Sequence, residues 1–379
     1  MERIYLDNCS TSFPKAPRMA RAMFDYIEDG TVNPNRTESN YAFNVFDQIY
    51  GLREKLASFY GYERPECIAF SKNATESLNW IIKGLVKKED HAIISSNEHN
   101  AVMRPLLQVG PEYSKIDSDK FGYNDYKDLE KLVKPNTKVM IINAAGNVSG
   151  AIQNLEIPSK IAKKHGIMLF IDASQASPFV DINMEKLGIA GICFTGHKGF
   201  LGPQGTGGMI LRKDIALSIN PLISGGTGSE SDKETIPTTL PERLEPGTMN
   251  IAGLVGLAKA VDYSIKNLDE LKERTMANTK RLVEGLSEIK GLEIVGALDV
   301  NNRTNAISVI SDKKDIAYIS YELLKRENIE TRVGLHCSPS SHKTLGTFPT
   351  GTLRFSAGPF TKEKEINITL KALKEILNE

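Results

Sequence analysis

Short apolar runs alternate with helical periodicity through most of the chain. Five runs have the length and composition of buried strands, at 92–95, 138–143, 167–171, 191–194 and 208–212. Two segments, 75–88 before the first run and 157–165 between the second and the third, carry apolar side chains at helical spacing. Strands separated by helices predict parallel βαβ units, with helices on both faces of one sheet.

The pattern changes after residue 212. Residues 213–250 are rich in glycine, serine, threonine and proline, which predicts loops, and helical patterning resumes over 251–289. The tail then predicts strands near 292–296, 305–310 and 352–356 and helices near 314–327 and 361–378. We therefore predict an α/β protein with a mainly parallel central sheet. A large domain is expected over 15–255, and a smaller α+β domain is expected from 1–14 together with 256–379.

Charge and composition argue against several kinds of partner. The 379 residues include 47 Lys plus Arg and 47 Asp plus Glu, so no net charge favours nucleic acid or an anionic membrane. No apolar run reaches the roughly 18 residues that span a bilayer, and the N-terminus lacks the apolar core of a signal peptide. The four cysteines share no close spacing, which argues against a disulfide framework and a CxxC zinc site. We expect a cytoplasmic protein with free thiols and no metal.

The glycine-rich run CFTGHKGFLGPQG at 193–205 contains the most informative residue, Lys198. This lysine follows an apolar strand where a backbone can approach a ligand closely, whereas solvated lysines usually stand among polar residues on helices. A lysine beside an electrophilic carbonyl can form a Schiff base. Asp172 follows the apolar run 167–171. A lysine combined with an aspartate for a pyridinium nitrogen is the protein's part of pyridoxal phosphate chemistry.

Four polar residues follow predicted strands, namely His99, Asn147, Asp172 and Lys198. Ligands of open parallel sheets collect beyond the carboxyl ends of the strands, so we expect these four side chains to converge. A histidine or asparagine in such a loop more often caps a helix or bonds to the backbone. Convergence at one edge is what favours the functional interpretation.

Neighbouring residues suit a phosphate group. Ala74 and Thr75 begin a predicted helix, where free backbone N–H groups and a hydroxyl can bind an anion. A simple helix cap is compatible with that role. Thr195 and His197, just before the lysine, would add a hydroxyl and an imidazole.

The remaining residues suit a pyridine ring. Asp172 would keep the ring nitrogen protonated through a charge-assisted hydrogen bond, which makes the ring an electron sink. Gln175 and Asn147 are neutral donors for the phenolic oxygen of the ring. His99 would stack on the ring face and move protons.

Seven segments together resemble the class V aminotransferase fold, and within it the cysteine desulfurase and selenocysteine lyase family. They are YLDNCSTSFPK, NATESLN, EHNAVMRPL, IDASQ, FTGHKGFLGPQGTGG, ERLEPGTMN and RVGLHCSPSSHKTLGTFPTGTLRFSAGPF, and they extend from the first strand to the last part of the chain. The resemblance implies the fold type I of pyridoxal-phosphate-dependent transferases, with pyridoxal 5'-phosphate as the cofactor. It also implies a homodimer, a sulfur or selenium amino acid as substrate, and a sulfur-acceptor protein as partner.

The resemblance assigns roles residue by residue. Lys198 holds the cofactor covalently, and Cys337, Lys198 and His99 are the catalytic residues. Cofactor contacts fall on Ala74, Thr75, His99, Asn147, Asp172, Gln175, Thr195, His197 and Thr248. The last of these matches a residue that reaches the phosphate of the other subunit in the family's dimers.

Two positions depart from the family pattern. The segment 33–39 reads NPNRTES, with Ser39 where the family often has histidine, which puts a substrate-side role of that position in doubt. Asn143 also ends a strand where relatives often have histidine. We keep Asn33 as a substrate-binding candidate.

Cys337 lies in RVGLHCSP, a compact loop of small residues and proline. Cys67 and Cys193 stand in apolar runs typical of buried cysteines, whereas Cys337 has a histidine beside it and arginines at 332 and 354 that favour a thiolate if the fold brings them close. A zinc site of His336, Cys337 and His342 is an alternative, with only three candidate ligands. In the family, the cysteine of this motif attacks the substrate's sulfur.

Arg354 stands in the β-patterned run GTLRFS, and its planar guanidinium suits bidentate binding of an α-carboxylate. A salt bridge at a domain boundary is the alternative. Arg332 is a second substrate-binding candidate.

The sequence thus predicts a cysteine desulfurase that converts L-cysteine to L-alanine and forms a persulfide on Cys337. A selenocysteine lyase or C–S β-lyase, which eliminates without a nucleophilic cysteine, is the alternative. An inactive sulfur-transfer scaffold is disfavoured by the intact lysine, aspartate and glutamine.

Overall fold

The structure is a computed structural model that describes residues 2–29, Val32 and residues 39–379. Its strands are β1 (Ile4–Tyr5), β2 (Ile68–Ser71), β3 (His91–Ser95), β4 (Glu112–Ile116), β5 (Thr137–Asn143), β6 (Met168–Asp172), β7 (Gly191–Thr195), β8 (Gly207–Leu211), β9 (Leu292–Val295), β10 (Ile307–Ser311), β11 (Ile329–Glu330), β12 (Arg332–Gly334) and β13 (Thr352–Phe355).

Its α-helices are α1 (Met19–Glu28), α2 (Asn40–Phe59), α3 (Ala74–Leu85), α4 (Asn100–Val109), α5 (Glu156–His165), α6 (Met184–Leu187), α7 (Lys213–Ser218), α8 (Ile251–Lys266), α9 (Leu268–Ser287), α10 (Ile316–Glu327), α11 (Pro339–Thr344) and α12 (Glu363–Asn378). Short 3-10 turns occur at Pro65–Cys67, Leu129–Leu132, Glu242–Leu244 and Val300–Asn302. None of the helices in the described ranges is long and apolar enough to cross a membrane.

The central sheet has seven strands in the order β2-β8-β7-β6-β5-β3-β4. The pairs from β4 through β7 are all parallel, which confirms the predicted mainly parallel sheet. Strand β8 is antiparallel to both of its neighbours. The reason is local, because residues 196–206 between β7 and β8 contain no helix that could form the crossover a parallel strand requires.

Helices cover both faces of this sheet, and alternate residues of β5 show why its sequence is continuously apolar. Met140 and Ile142 join the core beneath α2 and α8, whereas Val139 and Ile141 join the core beneath α3 and α4. A strand buried on two faces reads as an uninterrupted apolar run, since successive side chains point to opposite sides.

A second, four-stranded antiparallel sheet, in the order β12-β13-β10-β9, packs against α9, α10 and α12. The N-terminal strand β1 pairs in parallel with β11, so the start of the chain joins the part that contains the second sheet. The proposed domain boundaries themselves stay a prediction.

Two segments differ from the sequence prediction. The helical pattern over 251–289 forms two helices, α8 and α9, separated at Asn267. The Asn267 side chain donates to the Tyr263 carbonyl at 2.7 Å and so takes up an acceptor at the end of α8. The segment 213–250 is mostly irregular, as predicted, but it begins with the short helix α7.

Candidate active site

The carboxyl ends of the parallel strands open onto a cleft. Nine predicted site residues line it, namely Ala74, Thr75, His99, Asn147, Asp172, Gln175, Thr195, His197 and Lys198. The loops after β3, β5, β6 and β7 each contribute, as the strand-end rule predicts. The structure therefore brings these side chains together, and their individual roles stay predictions.

Lys198 stands three residues beyond β7, in the loop that returns to β8. Withdrawal from water lowers the pKa of its amine, and the neighbouring Asp172 carboxylate partly opposes that shift. A lowered pKa leaves more of the amine uncharged at neutral pH, which is the form that reacts with a carbonyl.

Asp172 is the last residue of β6 and is buried. Its Oδ1 accepts hydrogen bonds from the backbone and the hydroxyl of Ser174. Across the described ranges, no donor reaches its Oδ2. The carboxylate is thus held in orientation by one oxygen, and the other is left for a ligand such as a pyridinium N–H.

The other end of the cleft offers free donors to an anion. Helix α3 begins there, and the side-chain oxygen of its cap Asn73 accepts only from the Glu76 N–H at 3.0 Å, so the first N–H groups of the helix stay free within the described chain. Thr195 Oγ1 and His197 Nδ1 are buried and likewise lack partners among the described residues. Orphaned polar atoms beside a helix N-terminus suit a phosphate. The residues present therefore fit pyridoxal phosphate at both its ring nitrogen and its phosphate.

His99 caps α4, and its Nδ1 accepts from the Ala101 N–H at 3.0 Å. That bond places the ring proton on Nε2. Burial, reinforced by the charge of Lys198, lowers the pKa of His99 to about 4. His99 is therefore a neutral imidazole with an N–H available on one side, which suits a residue that stacks on a ring and moves protons.

Two amide side chains at the cleft also contact loops of the protein. Gln175 Nε2 donates to the Cys9 carbonyl at 3.1 Å. Asn147 Nδ2 donates to the His336 carbonyl at 2.8 Å. Each nitrogen has a second hydrogen, so the predicted contacts to a phenolic oxygen are compatible with these bonds.

Cys337 is exposed, whereas Cys9, Cys67 and Cys193 are buried. Its Sγ lies 3.6 Å from Nη2 of Arg332, so the expected cation is close to the thiol. Burial raises the pKa of Cys67 to about 11 and raises the pKa of Cys193 well above its ordinary value, which keeps both as unreactive thiols. The geometry separates Cys337 from these two cysteines in the way the sequence predicts.

Arg332 and Arg354 both hydrogen-bond to the hydroxyl of Ser10. Arg332 Nη1 donates to Ser10 Oγ at 2.7 Å, and Arg354 Nη2 donates to the same oxygen at 2.9 Å. Arg354 is 1% exposed and also forms a salt bridge with Asp7 at 2.9 Å. The salt-bridge alternative is therefore present in the structure. Arg354 Nε is buried without a partner in the described part of the chain, so the carboxylate-binding role stays open as a prediction.

Three further predicted positions lie elsewhere. Asn33 falls outside the described residues. Ser39 caps α2, and its Oγ accepts from the Ala42 N–H at 3.1 Å, which gives that position a structural role. Thr248 is exposed and does not line the cleft of the single chain. No cluster of three or more metal-ligating side chains occurs in the described ranges.

Glu98 was missed by the sequence analysis, although it directly precedes His99. It is fully buried, and its Oε1 accepts from Ser95 Oγ at 2.6 Å and from the Asn143 N–H at 3.0 Å. Its Oε2 has no partner among the described residues. Burial raises the pKa of Glu98 to about 8, so the carboxyl is protonated at neutral pH. Its position, beside an apolar strand end, gave no signal in the sequence.

Glu98→Gln is expected to change how stability depends on pH. The folded pKa of Glu98 lies above its unfolded value of 4.5, so in the wild type this group loses stabilising free energy as pH rises from about 4.5 to about 8. One pKa unit corresponds to about 1.4 kcal/mol. We expect the free energy of unfolding of the variant, relative to the wild type, to rise by at least ~2 kcal/mol between pH 5 and pH 8. Urea unfolding at both pH values measures this, and a constant difference would contradict the assignment.

Comparison with known proteins identifies the family. The family model for class V aminotransferases matches residues 4–368, so the chain belongs to the class V aminotransferase family. A probable cysteine desulfurase of Methanothermobacter thermautotrophicus is 28% identical, over 99% of this chain and 95% of its own length. Cysteine desulfurase IscS of Dictyoglomus turgidum is 30% identical, over 99% of this chain and 94% of its own length.

A solved structure agrees with these relatives. The apo structure of cysteine desulfurase from Thermococcus onnurineus superposes with a TM-score of 0.91 at 28% identity. The alignment covers 99% of this chain and 95% of that chain. The predicted fold class is thereby confirmed.

Proposed function

We propose that this protein is a pyridoxal-phosphate-dependent cysteine desulfurase that converts L-cysteine to L-alanine and forms a persulfide on Cys337. The observation that carries the proposal is the placement of one exposed cysteine with Arg332 3.6 Å from its sulfur. The preceding residue, His336, is bound by Asn147 of the cleft that contains Lys198 and Asp172. The names of the relatives support the same reaction.

Pyridoxal phosphate, when bound, supplies an electron sink for negative charge at the substrate's α-carbon. Asp172 Oδ2 would hold the proton of the ring nitrogen, and Thr195, His197 and the start of α3 would hold the phosphate. Lys198 would move the proton at the α-carbon, since its lowered pKa leaves part of the amine uncharged. The guanidinium groups of Arg332 and Arg354 would orient the substrate's carboxylate.

The Cys337 thiolate then attacks the substrate's sulfur. A sulfur–sulfur bond forms, the carbon–sulfur bond breaks, and its electron pair remains with the carbon skeleton, which takes up a proton and leaves as alanine. In the overall reaction, L-cysteine and the Cys337 thiol give L-alanine and the Cys337 persulfide. A thiol of a sulfur-acceptor protein would then take the outer sulfur, for which the exposure of Cys337 leaves room.

The test is a comparison of two substrates. The purified, cofactor-loaded protein is given L-cysteine and L-selenocysteine, and alanine is measured together with sulfide or selenide in the presence of a reducing thiol. We expect alanine and sulfide in equal amounts from cysteine. Turnover of selenocysteine alone would replace the proposal with the selenocysteine lyase alternative.

We also propose a cytoplasmic homodimer. Large apolar side chains are exposed along α1 and α2, including Phe24, Ile27, Phe43 and Phe46, and such a patch is typical of an interface. Thr248, exposed in the single chain, would then reach the partner's phosphate site. Sedimentation at assay concentration should give a dimer, and an active monomer would contradict this proposal.

A further inference from the structure

The cysteine segment, residues 335–338, has a strained backbone conformation that contacts with other parts of the protein must hold in place. His336 and Cys337 have φ angles of 47° and 59°, in the left-handed region that residues with a Cβ rarely occupy. Two such residues in succession persist only where surrounding contacts hold them. The segment connects the four-stranded sheet to α11. It contacts that sheet through His336 Nε2, 3.0 Å from Thr352 Oγ1, and it also contacts the loops of the central sheet.

Asn147 supplies two of these contacts. Its Nδ2 donates to the His336 carbonyl at 2.8 Å, and its Oδ1 accepts from Ser338 Oγ at 2.8 Å. The Asn147 amide therefore hydrogen-bonds to the residues on both sides of Cys337. The Cys337 carbonyl itself accepts from the Asn100 N–H at 2.8 Å, next to His99.

These bonds also fix the orientation of the Asn147 amide. A flipped amide would place Oδ1 against the His336 carbonyl, which is two acceptors face to face, so the observed orientation is the one that the segment allows. The second Nδ2 hydrogen has no acceptor in the described part of the chain. Asn147 lines the cleft, so this hydrogen is available to a ligand there.

We propose that Ser338 is a positioning residue for Cys337, which it holds by anchoring the segment to the Asn147 amide at the wall of the cofactor cleft. Ser338 is fully buried, so its hydroxyl cannot replace this bond with one to solvent. The bridge joins the thiol that attacks sulfur to a residue that faces the cofactor. This inference rests on the proposed function for its kinetic consequence, but the bridge itself is a property of the protein without cofactor.

The test compares Ser338→Ala with Ser341→Ala. Ser341 is the matched control, because it is 2% exposed, lies on α11 and donates to the Asn97 carbonyl at 2.9 Å, but among the described residues it has no hydrogen bond to Asn147. Each variant loses one buried hydroxyl that hydrogen-bonds the start of α11 to a loop of the central sheet. A difference between the two variants in rate or hydrogen exchange therefore reports on the Ser338–Asn147 hydrogen bond and not on the general packing of α11 against the central sheet.

The kinetic readout uses two substrates of the cofactor-loaded protein. Desulfuration of L-cysteine requires the Cys337 thiolate, whereas β-chloro-L-alanine loses chloride without a nucleophile. We expect Ser338→Ala to lower kcat for cysteine at least about tenfold, the effect of a single lost hydrogen bond to a buried partner, and to leave elimination from β-chloro-L-alanine within about twofold. Ser341→Ala should leave the ratio of the two rates unchanged.

The structural readout uses the protein without cofactor. Hydrogen exchange of the peptide spanning 335–338, and of the Asn100 amide, should be faster in Ser338→Ala than in the wild type, and the Asn100 amide should be protected in Ser341→Ala. Unchanged exchange in Ser338→Ala, or an equal change of the rate ratio in both variants, would overturn the proposal. A wild-type protein that does not desulfurate cysteine but shows the expected exchange would instead refute the proposed function and leave the bridge standing.

Discussion

Replacement of Lys198 by alanine is expected to abolish turnover of L-cysteine. Transfer of the α-proton by a positioned base contributes about 100- to 10,000-fold, and Lys198 would in addition hold the cofactor covalently, so we expect a loss of at least about 1,000-fold in kcat. Alanine and sulfide release measure the loss. The donors for a phosphate at Thr195, His197 and the start of α3 remain, so the variant should still take up pyridoxal phosphate without turnover.

The matched control for this variant is Lys15→Met. Lys15 is a second partly buried lysine of the same region, and its Nζ donates to the His197 carbonyl at 3.0 Å, but it does not line the cleft. Burial lowers the pKa of Lys15 to about 8, so this amine too is partly uncharged near neutral pH. Lys15→Met should lose no more than about tenfold, the effect of its hydrogen bonds. Equal losses in the two variants would mean that the lysine chemistry has been placed on the wrong residue.

Replacement of Cys337 by alanine is expected to remove desulfuration of cysteine and to leave cofactor binding intact. Without the thiolate no atom accepts the substrate's sulfur, so sulfide release should fall by at least about 1,000-fold, the order of effect expected for removal of a nucleophile. Elimination from β-chloro-L-alanine should persist, because Lys198 and Asp172 are untouched. Loss of both reactions would point to a damaged cleft instead of a missing nucleophile.

Cys9 provides the control for this variant. It is 3% exposed, its thiol donates to Asn305 Oδ1 at 3.4 Å, and burial raises its pKa despite the nearby charges of Arg354 and Lys198. Cys9→Ala should therefore keep most of the desulfuration rate. A Cys337→Ala variant that desulfurates normally, together with an inactive Cys9→Ala, would transfer the nucleophile to the N-terminal loop.

The parts of the fold that the sequence predicted are those with strong local patterns. The predicted strand 138–143 and the predicted helix 75–88 correspond closely to β5 and α3, because buried strands and amphipathic helices show in the order of apolar residues. Strand β4 was missed since it lies at the edge of the sheet and only Ile116 is fully buried, so no apolar run marks it. The same reason applies to β12, whose three residues are all half-buried.

The candidate site likewise has residues that the sequence could predict and contacts that it could not. Residues at strand ends could be predicted to converge from the rule for parallel sheets alone, and the cleft brings them together. The Ser338–Asn147 bridge could not be predicted, because the two residues are 191 positions apart and a serine in a loop has no distinctive pattern. Glu98 was missed for a related reason, since it is buried and bound by the Asn143 N–H, from a residue 45 positions away in the sequence.

The central claim is that sulfur from cysteine passes to Cys337. The most direct measurement is mass spectrometry of the wild-type, cofactor-loaded protein after brief treatment with L-cysteine in the absence of a reducing thiol, with persulfides trapped by alkylation before digestion. The account predicts one added sulfur on the peptide that contains Cys337 and none on the peptides with Cys9, Cys67 or Cys193. Sulfur on the Cys9 peptide, or alanine formed with no protein-bound sulfur at all, would contradict it.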